Sequence, residues 1–166
     1  MGKREAFAAV AIPLLAAAII WLPFWAFLCV LSAAVLLAAD ELLTMARGAG
    51  IAVGRWLPLL TLVLVLVSSW RWGFLGMAAS ATAAVVILPA AQLMHPRAPE
   101  GGLSGTAVAL LAVLYCGLCG ACFGWLRVLP EGDLGIRILF FFLVTIWLGD
   151  SGAYYIGSNF GRHKMS

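Results

Sequence analysis

The chain has 166 residues, 64% of them hydrophobic and 10% charged, with a formal net charge of +3 and a mean hydropathy of +1.09. A soluble domain carries roughly 45–50% apolar and about 25% charged residues, and one of this length buries only about 70% of its unfolded surface, so the excess apolar side chains have no place but lipid. The composition excludes a soluble enzyme. It also excludes a nucleic-acid-binding protein, because no basic stripe interleaved with aromatics lies outside the apolar runs, and it predicts an all-α, polytopic transmembrane helical bundle.

The opening Met-Gly-Lys-Arg-Glu and the apolar run from Ala6 have the outline of a signal peptide. The run continues past Pro23 to Ala39 with no cleavage site, so it reads as a first transmembrane helix. Breaks at Pro23, Arg47–Arg55, Ser68–Gly73, Met94–Gly102 and Pro130–Asp133 leave six segments, at about 6–22, 24–45, 56–70, 73–93, 104–128 and 134–157, near the length that crosses a bilayer except for the third, which is short. The third and fourth are separated only by Ser-Ser-Trp-Arg-Trp-Gly. Two tryptophans around an arginine suit the membrane interface, so a hairpin of two spans is expected there rather than one long helix. His95-Pro-Arg-Ala-Pro-Glu-Gly-Gly102 reads as a turn-rich connector, since prolines and paired glycines oppose helix.

With a cytoplasmic N-terminus and six crossings, Lys3, Arg4, Arg47, Arg55, Arg97, Arg162 and Lys164 fall on the cytoplasmic side and Arg71, Arg127 and Arg137 on the other, seven against three. That asymmetry fits the positive-inside bias and places residues 1–5 and 162–166 in the cytoplasm, in an inner cell membrane.

Three groups of residues in these segments could carry chemistry. Cys116, Cys119 and Cys122 have the Cys-x-x-Cys-x-x-Cys spacing that opens some iron–sulfur ligand runs. They lie inside an apolar span with no fourth ligand following, and are read as small residues that let helices approach; Cys29 is read as a lone core residue. Asp40 and Glu41 end the second span and point about 100° apart, so one of them turns inward at most. They read first as an interfacial pair facing water; in the sharper alternative Glu41 turns in, toward a cation or a basic residue of the active site, while Asp40 stays solvated. The third group is the end of the sixth segment. Gly149, Ala153, Gly157 and Gly161 recur every four residues and form a small-residue ridge for a neighbouring helix, beside one polar stripe of Asp150, Tyr154 and Ser158 and another of Ser151, Tyr155 and Asn159. A carboxylate with hydroxyls one turn away suits Mg²⁺, which takes one or two carboxylates and completes its shell with water and phosphate. The following Arg162, His163 and Lys164 supply cationic donors for phosphate.

Asp150-Ser-Gly-Ala-Tyr154, Gly157 and Phe160-Gly-Arg-His-Lys-Met-Ser166 resemble the Asp-Ser-Gly-Ala-Tyr…Gly…Phe-Gly-Lys-His-Lys-Leu pattern of the phosphatidate cytidylyltransferases, or CDP-diacylglycerol synthases. Arg162 replaces the lysine with charge kept, and Met165 replaces the leucine. In that family the chain continues beyond this motif into further helices and an Asp- and Gly-rich signature. Residues 1–166 are therefore expected to be the N-terminal, membrane-embedded part of a larger transferase, with the family motif at 149–166 and the rest of the site supplied from outside them.

The resemblance implies transfer of a cytidylyl group from CTP to phosphatidate, with Mg²⁺ or another divalent cation as cofactor. Asp150 is then the metal-side candidate, with Glu41 a secondary one. Ser151 and Tyr154 are its polar support in catalysis, and Arg162, His163 and Lys164 contact phosphate. The partners implied are CTP, phosphatidate and membrane lipid, without nucleic acid, and the sequence leaves a homo-oligomer open. A transporter fragment would more often break its helices near mid-membrane. A polyprenol kinase would use similar phosphate chemistry on another acceptor, and a non-catalytic membrane scaffold would need no further half.

Overall fold

The computed structural model describes residues 3–94, 98–129 and 133–160. Its helices are α1 (Lys3–Trp21), α2 (Phe24–Gly48), α3 (Trp56–Leu93), α4 (Ala98–Leu110), α5 (Cys116–Arg127) and α6 (Leu134–Phe160), with a π-helical turn, Leu111–Tyr115, joining α4 to α5. No strand occurs among the described residues. Four helices are long and apolar enough to cross a membrane, and Ile12–Trp21 is a shorter apolar one. One of the four, α3, has 38 residues and leaves helical geometry at Gly73, so counting its two arms separately and adding α1 yields the six segments expected.

The fold-back of α3 follows from two glycines. At Gly73 the backbone takes φ 64° and ψ −146°, a conformation that side-chain-bearing residues rarely adopt. At Gly76 a Cβ would run into the carbonyl oxygen of Ser68. The arms 56–72 and 74–93 can thus meet closely: Ser80 donates to the Gly76 carbonyl at 2.7 Å, and its hydroxyl oxygen accepts from Ser68 at 2.8 Å. Twelve residues of straight helix would separate those two serines by about 18 Å. Each hydroxyl also bonds a carbonyl of its own helix, Ser68 that of Leu64 and Ser80 that of Gly76, so the pair adds a link between the two arms.

Two compact units emerge, residues 22–125 and residues 1–21 with 126–166. In the larger, Leu43, Leu62, Val65, Leu66, Ala84, Leu88, Ala112 and Val113 form the core. The helix α5 lies against α2 and the first arm of α3 through glycines. Beside Gly117 stand Leu62 and Val65, beside Gly120 stand Val35 and Leu66, and beside Gly124 stand Leu28 and Trp70. Neighbour numbers rise along the α3 arm and fall along α2, so α5 runs parallel to the first and antiparallel to the second. Successive crossings of a bilayer produce that alternation.

The return of α3 brings Gln92 to the loop after α2. The buried Gln92 donates Nε2–H to the Ala52 carbonyl at 2.6 Å, and a Cβ on Gly105 of α4 would strike both partners. The α2 end is itself closed by a Schellman cap, with Ile51 N–H on the Ala46 carbonyl and Gly50 N–H on that of Arg47, both at 3.0 Å, and Gly50 at φ 85°. In the smaller unit Arg127 Nε donates to the Ile19 carbonyl at 2.7 Å, which satisfies one of the last carbonyls of α1.

Three expectations are corrected. The connector at 95–102 is shorter than expected, because helix resumes at Ala98; Pro99 falls in the first turn, where a missing N–H costs nothing, and His95–Arg97 lie outside the described residues. Two of the three cysteines of α5 are not packing residues, Cys116 alone lying partly buried against the core. Gly117, Gly120, Ala121 and Gly124 are buried, whereas Cys119 and Cys122 are exposed on the opposite face, and Cys29 is exposed rather than core. Lastly, Asp40 takes the basic partner. Its carboxylate accepts Arg55 Nε and Nη2, each at 2.7 Å, and Glu41 is exposed.

The glycine face makes a sharp expectation. Gly120→Leu, whose first carbon would come within 2.7 Å of Val35, should destabilise by about 1–3 kcal/mol through overpacking, while Cys119→Leu should stay within about 0.5 kcal/mol of the parent. Thermal melting in detergent compares them, and equal losses would contradict this packing.

Candidate active site

Helix α6 opens with the Asp133 carbonyl accepting the Arg137 N–H at 3.0 Å and runs unbroken to Phe160. Its first half is apolar and its last turns are small and polar. Gly149, Gly152 and Gly157 each cost a helix interior up to about 1 kcal/mol relative to alanine, so this stretch favours close approach over helix stability. Among the described residues nothing makes that approach: no heavy atom lies within 4 Å of the position of a Cβ at any of the three. The expected small-residue ridge therefore has no neighbouring helix among the described residues.

Beside that ridge, Asp150, Ser151, Tyr154 and Tyr155 are all exposed. Asp150 and Tyr154 stand one helical turn apart on one stripe, and Ser151 and Tyr155 on the adjoining one. The two tyrosine rings meet edge to face, with centroids 5.6 Å apart and planes at 75°, a favourable arrangement that limits their rotation. Ionised Asp150 offers only acceptors, while the serine and tyrosine hydroxyls both donate and accept. An exposed carboxylate keeps its lone pairs available, so this donor set fits a cation that binds through one or two carboxylates and otherwise through water and phosphate. No three His, Cys, Asp or Glu residues among those described gather as a metal group.

Arg162, His163 and Lys164 lie outside the described residues, as do the side chains of Ser158 and Asn159. Glu41 belongs to the larger unit and Asp150 to the smaller. The sequence reading missed the Asp40–Arg55 pair and the Gln92 clamp. A glutamine near the end of an apolar helix is a signal for the second, since a buried amide must find a partner. The first had no local signal, its members standing 15 residues apart.

A membrane-helix bundle whose sixth apolar segment ends in exposed Asp-Ser-Gly-Ala-Tyr matches the model of the cytidylyltransferase family over residues 2–166, and the chain belongs to that family. More particularly, it is similar to a phosphatidate cytidylyltransferase of Bacillus subtilis (strain 168), with 38% identity over 55 residues, 33% of this chain and 20% of that protein. The matched stretch thus spans a fifth of the relative's length. No solved structure matches the chain significantly.

Because open space surrounds Gly157, Gly157→Leu should leave the stability of this chain, read by thermal melting, within about 0.5 kcal/mol of its parent, as surface substitutions do. A larger loss in the same detergent would mean that a helix packs on the ridge.

Proposed function

We propose that the chain is the N-terminal part of a phosphatidate cytidylyltransferase, which transfers the cytidylyl group of CTP to phosphatidate. The observation that carries this reading is the Asp150–Tyr154 motif, presented on the exposed polar end of a membrane-crossing helix within the family match. A phosphate oxygen of phosphatidate attacks the α-phosphorus of CTP. The bond to the bridging oxygen of the β-phosphate breaks, and pyrophosphate leaves with its electron pair, giving CDP-diacylglycerol. Anionic groups must approach one another for this to occur, so the protein's task is positioning and charge neutralisation more than proton transfer.

In this reading Asp150 holds a divalent cation, with Glu41 a secondary candidate, and the bound ion supplies clamping and Lewis acidity. The Ser151 and Tyr154 hydroxyls hydrogen-bond the carboxylate's surroundings and hold its water shell, and Arg162, His163 and Lys164 bind phosphate oxygens. A helix end at the membrane surface serves both substrates, one of them a lipid and the other soluble. The rim in question is the cytoplasmic one, as the distribution of basic residues supports.

Two measurements test the proposal. In the full-length enzyme Asp150→Asn keeps size but removes charge, so incorporation of labelled CTP into lipid should fall by about two orders of magnitude or more, with at most partial recovery as Mg²⁺ is raised. Lys164→Ala should mainly raise the apparent KM, because a rim cation contributes to ground state and transition state alike. Near-normal turnover by Asp150→Asn would remove this aspartate from the site. A cysteine placed at position 164 should resist an impermeant reagent added to intact cells, and its labelling from outside would overturn the cytoplasmic assignment.

A further inference from the structure

We infer that Arg47 and Arg55, at the corner between α2 and α3, bind the phosphate of an anionic phospholipid headgroup. Asp40, Thr44 and Arg47 follow at i, i+4 and i+7 on one stripe of α2. Two guanidinium groups are seated on that stripe. Arg47 Nη2 donates to Thr44 Oγ1 at 2.8 Å, and Arg55 donates through Nε and Nη2 to the two oxygens of Asp40, each at 2.7 Å. The seats are one helical turn apart, where side chains are neighbours at about 5–6 Å between Cβ atoms. The single carboxylate serves Arg55, and Arg47 is held only by a neutral hydroxyl. Glu41 projects from the neighbouring face of the helix and bonds to neither.

Asp40 holds Arg55 without hiding it. The bidentate pair uses Nε and one Nη2 proton, and Nη1 keeps both of its own. The Arg55 side chain remains 46% exposed, and the hydrogen bond and charge of Asp40 raise its already high pKa further. The backbone beneath is fixed by the Schellman cap after α2 and by the Gln92 bond to Ala52, so little ordering is needed to engage a ligand. A phosphate oxygen pair is the complementary shape for a guanidinium edge.

The surroundings decide between a lipid phosphate and a soluble one. The Arg55 guanidinium lies over the Trp56 ring at 5.3 Å from its centroid, and Trp56 is 70% exposed, with Met45, Leu57 and Leu60 exposed nearby in sequence. Tryptophan beside arginine at the mouth of apolar helices is the pattern of the headgroup layer. The site lies in the larger unit, and Asp150 belongs to the smaller.

The test is thermal melting of the purified full chain in detergent, titrated with dihexanoyl phosphatidylglycerol, dihexanoyl phosphatidylcholine or inorganic phosphate at matched ionic strength. Phosphatidylglycerol is neither substrate nor product of the proposed reaction, so the outcome is separate from the catalytic reading. It should raise the melting temperature saturably, whereas phosphatidylcholine should not. Arg47→Gln leaves the Asp40–Arg55 pair in place, so it should melt like the parent without lipid and bind phosphatidylglycerol about fivefold more weakly. Arg55→Lys should weaken binding as well, and its lipid-free melt shows whether losing the bidentate pair has loosened the corner. Equal affinity of Arg47→Gln and parent, or equal shifts with both lipids, would overturn the inference. Inorganic phosphate acting as strongly as phosphatidylglycerol would assign the arginines to a soluble ligand and overturn the lipid assignment.

Discussion

The reversal of α3 at Gly73 is the constraint on which the larger unit depends. A straight helix of 38 residues would be about 57 Å long, nearly twice the roughly 30 Å of a hydrocarbon core. Folded back, its two ends reach the same side, and Gln92 can bond the carbonyl of Ala52, 40 residues earlier. That one amide then ties the α2–α3 loop to the second arm, with Gly105 small enough to admit α4 beside them. Removing the turn would part Ser68 from Ser80 and the Gln92 amide from the Ala52 carbonyl, while each serine hydroxyl would keep a bond to a carbonyl of its own helix.

Lipid as solvent also explains why glycines rather than large apolar residues make the closest helix contacts. Lipid tails are as apolar as leucine, so helices in a membrane gain by dispersion and close approach more than by escaping water. Gly117, Gly120 and Gly124 give α5 such a face toward α2 and the first arm of α3. The end of α6 has the same composition with no helix against it among the described residues. Its small residues stand beside an exposed aspartate and two tyrosines. Small residues thus serve packing in one helix and border the candidate chemistry in another.

Charge is managed differently at the two polar sites. Asp40 is bound in both oxygens by Arg55, which leaves it little capacity for a metal. Asp150 is exposed on a helix end with hydroxyl groups one position and one turn away, which is the more available carboxylate. The same contrast separates the structural acid of the α2–α3 corner from the candidate catalytic acid of α6, although both occupy the ends of apolar segments.

Much of this was legible from composition and order along the chain. Apolar length specifies membrane segments because the bilayer has a set thickness, and Ser-Ser-Trp-Arg-Trp-Gly announced a turn because it interrupts an otherwise continuous apolar run with interfacial residues and a glycine. The Asp150–Tyr154 motif was readable because its residues are contiguous. Only the tertiary structure decided which faces are buried. Cysteine and glycine alternate along α5, and nothing local says which of two opposite faces meets α2 and α3; the backbones can approach only where the glycines are. Asp40 and Glu41 are equal in charge and adjacent, and the choice between them fell to Arg55, which the capped loop after α2 carries back over one of the two positions. Contacts of that kind depend on where distant segments return, which no local pattern encodes.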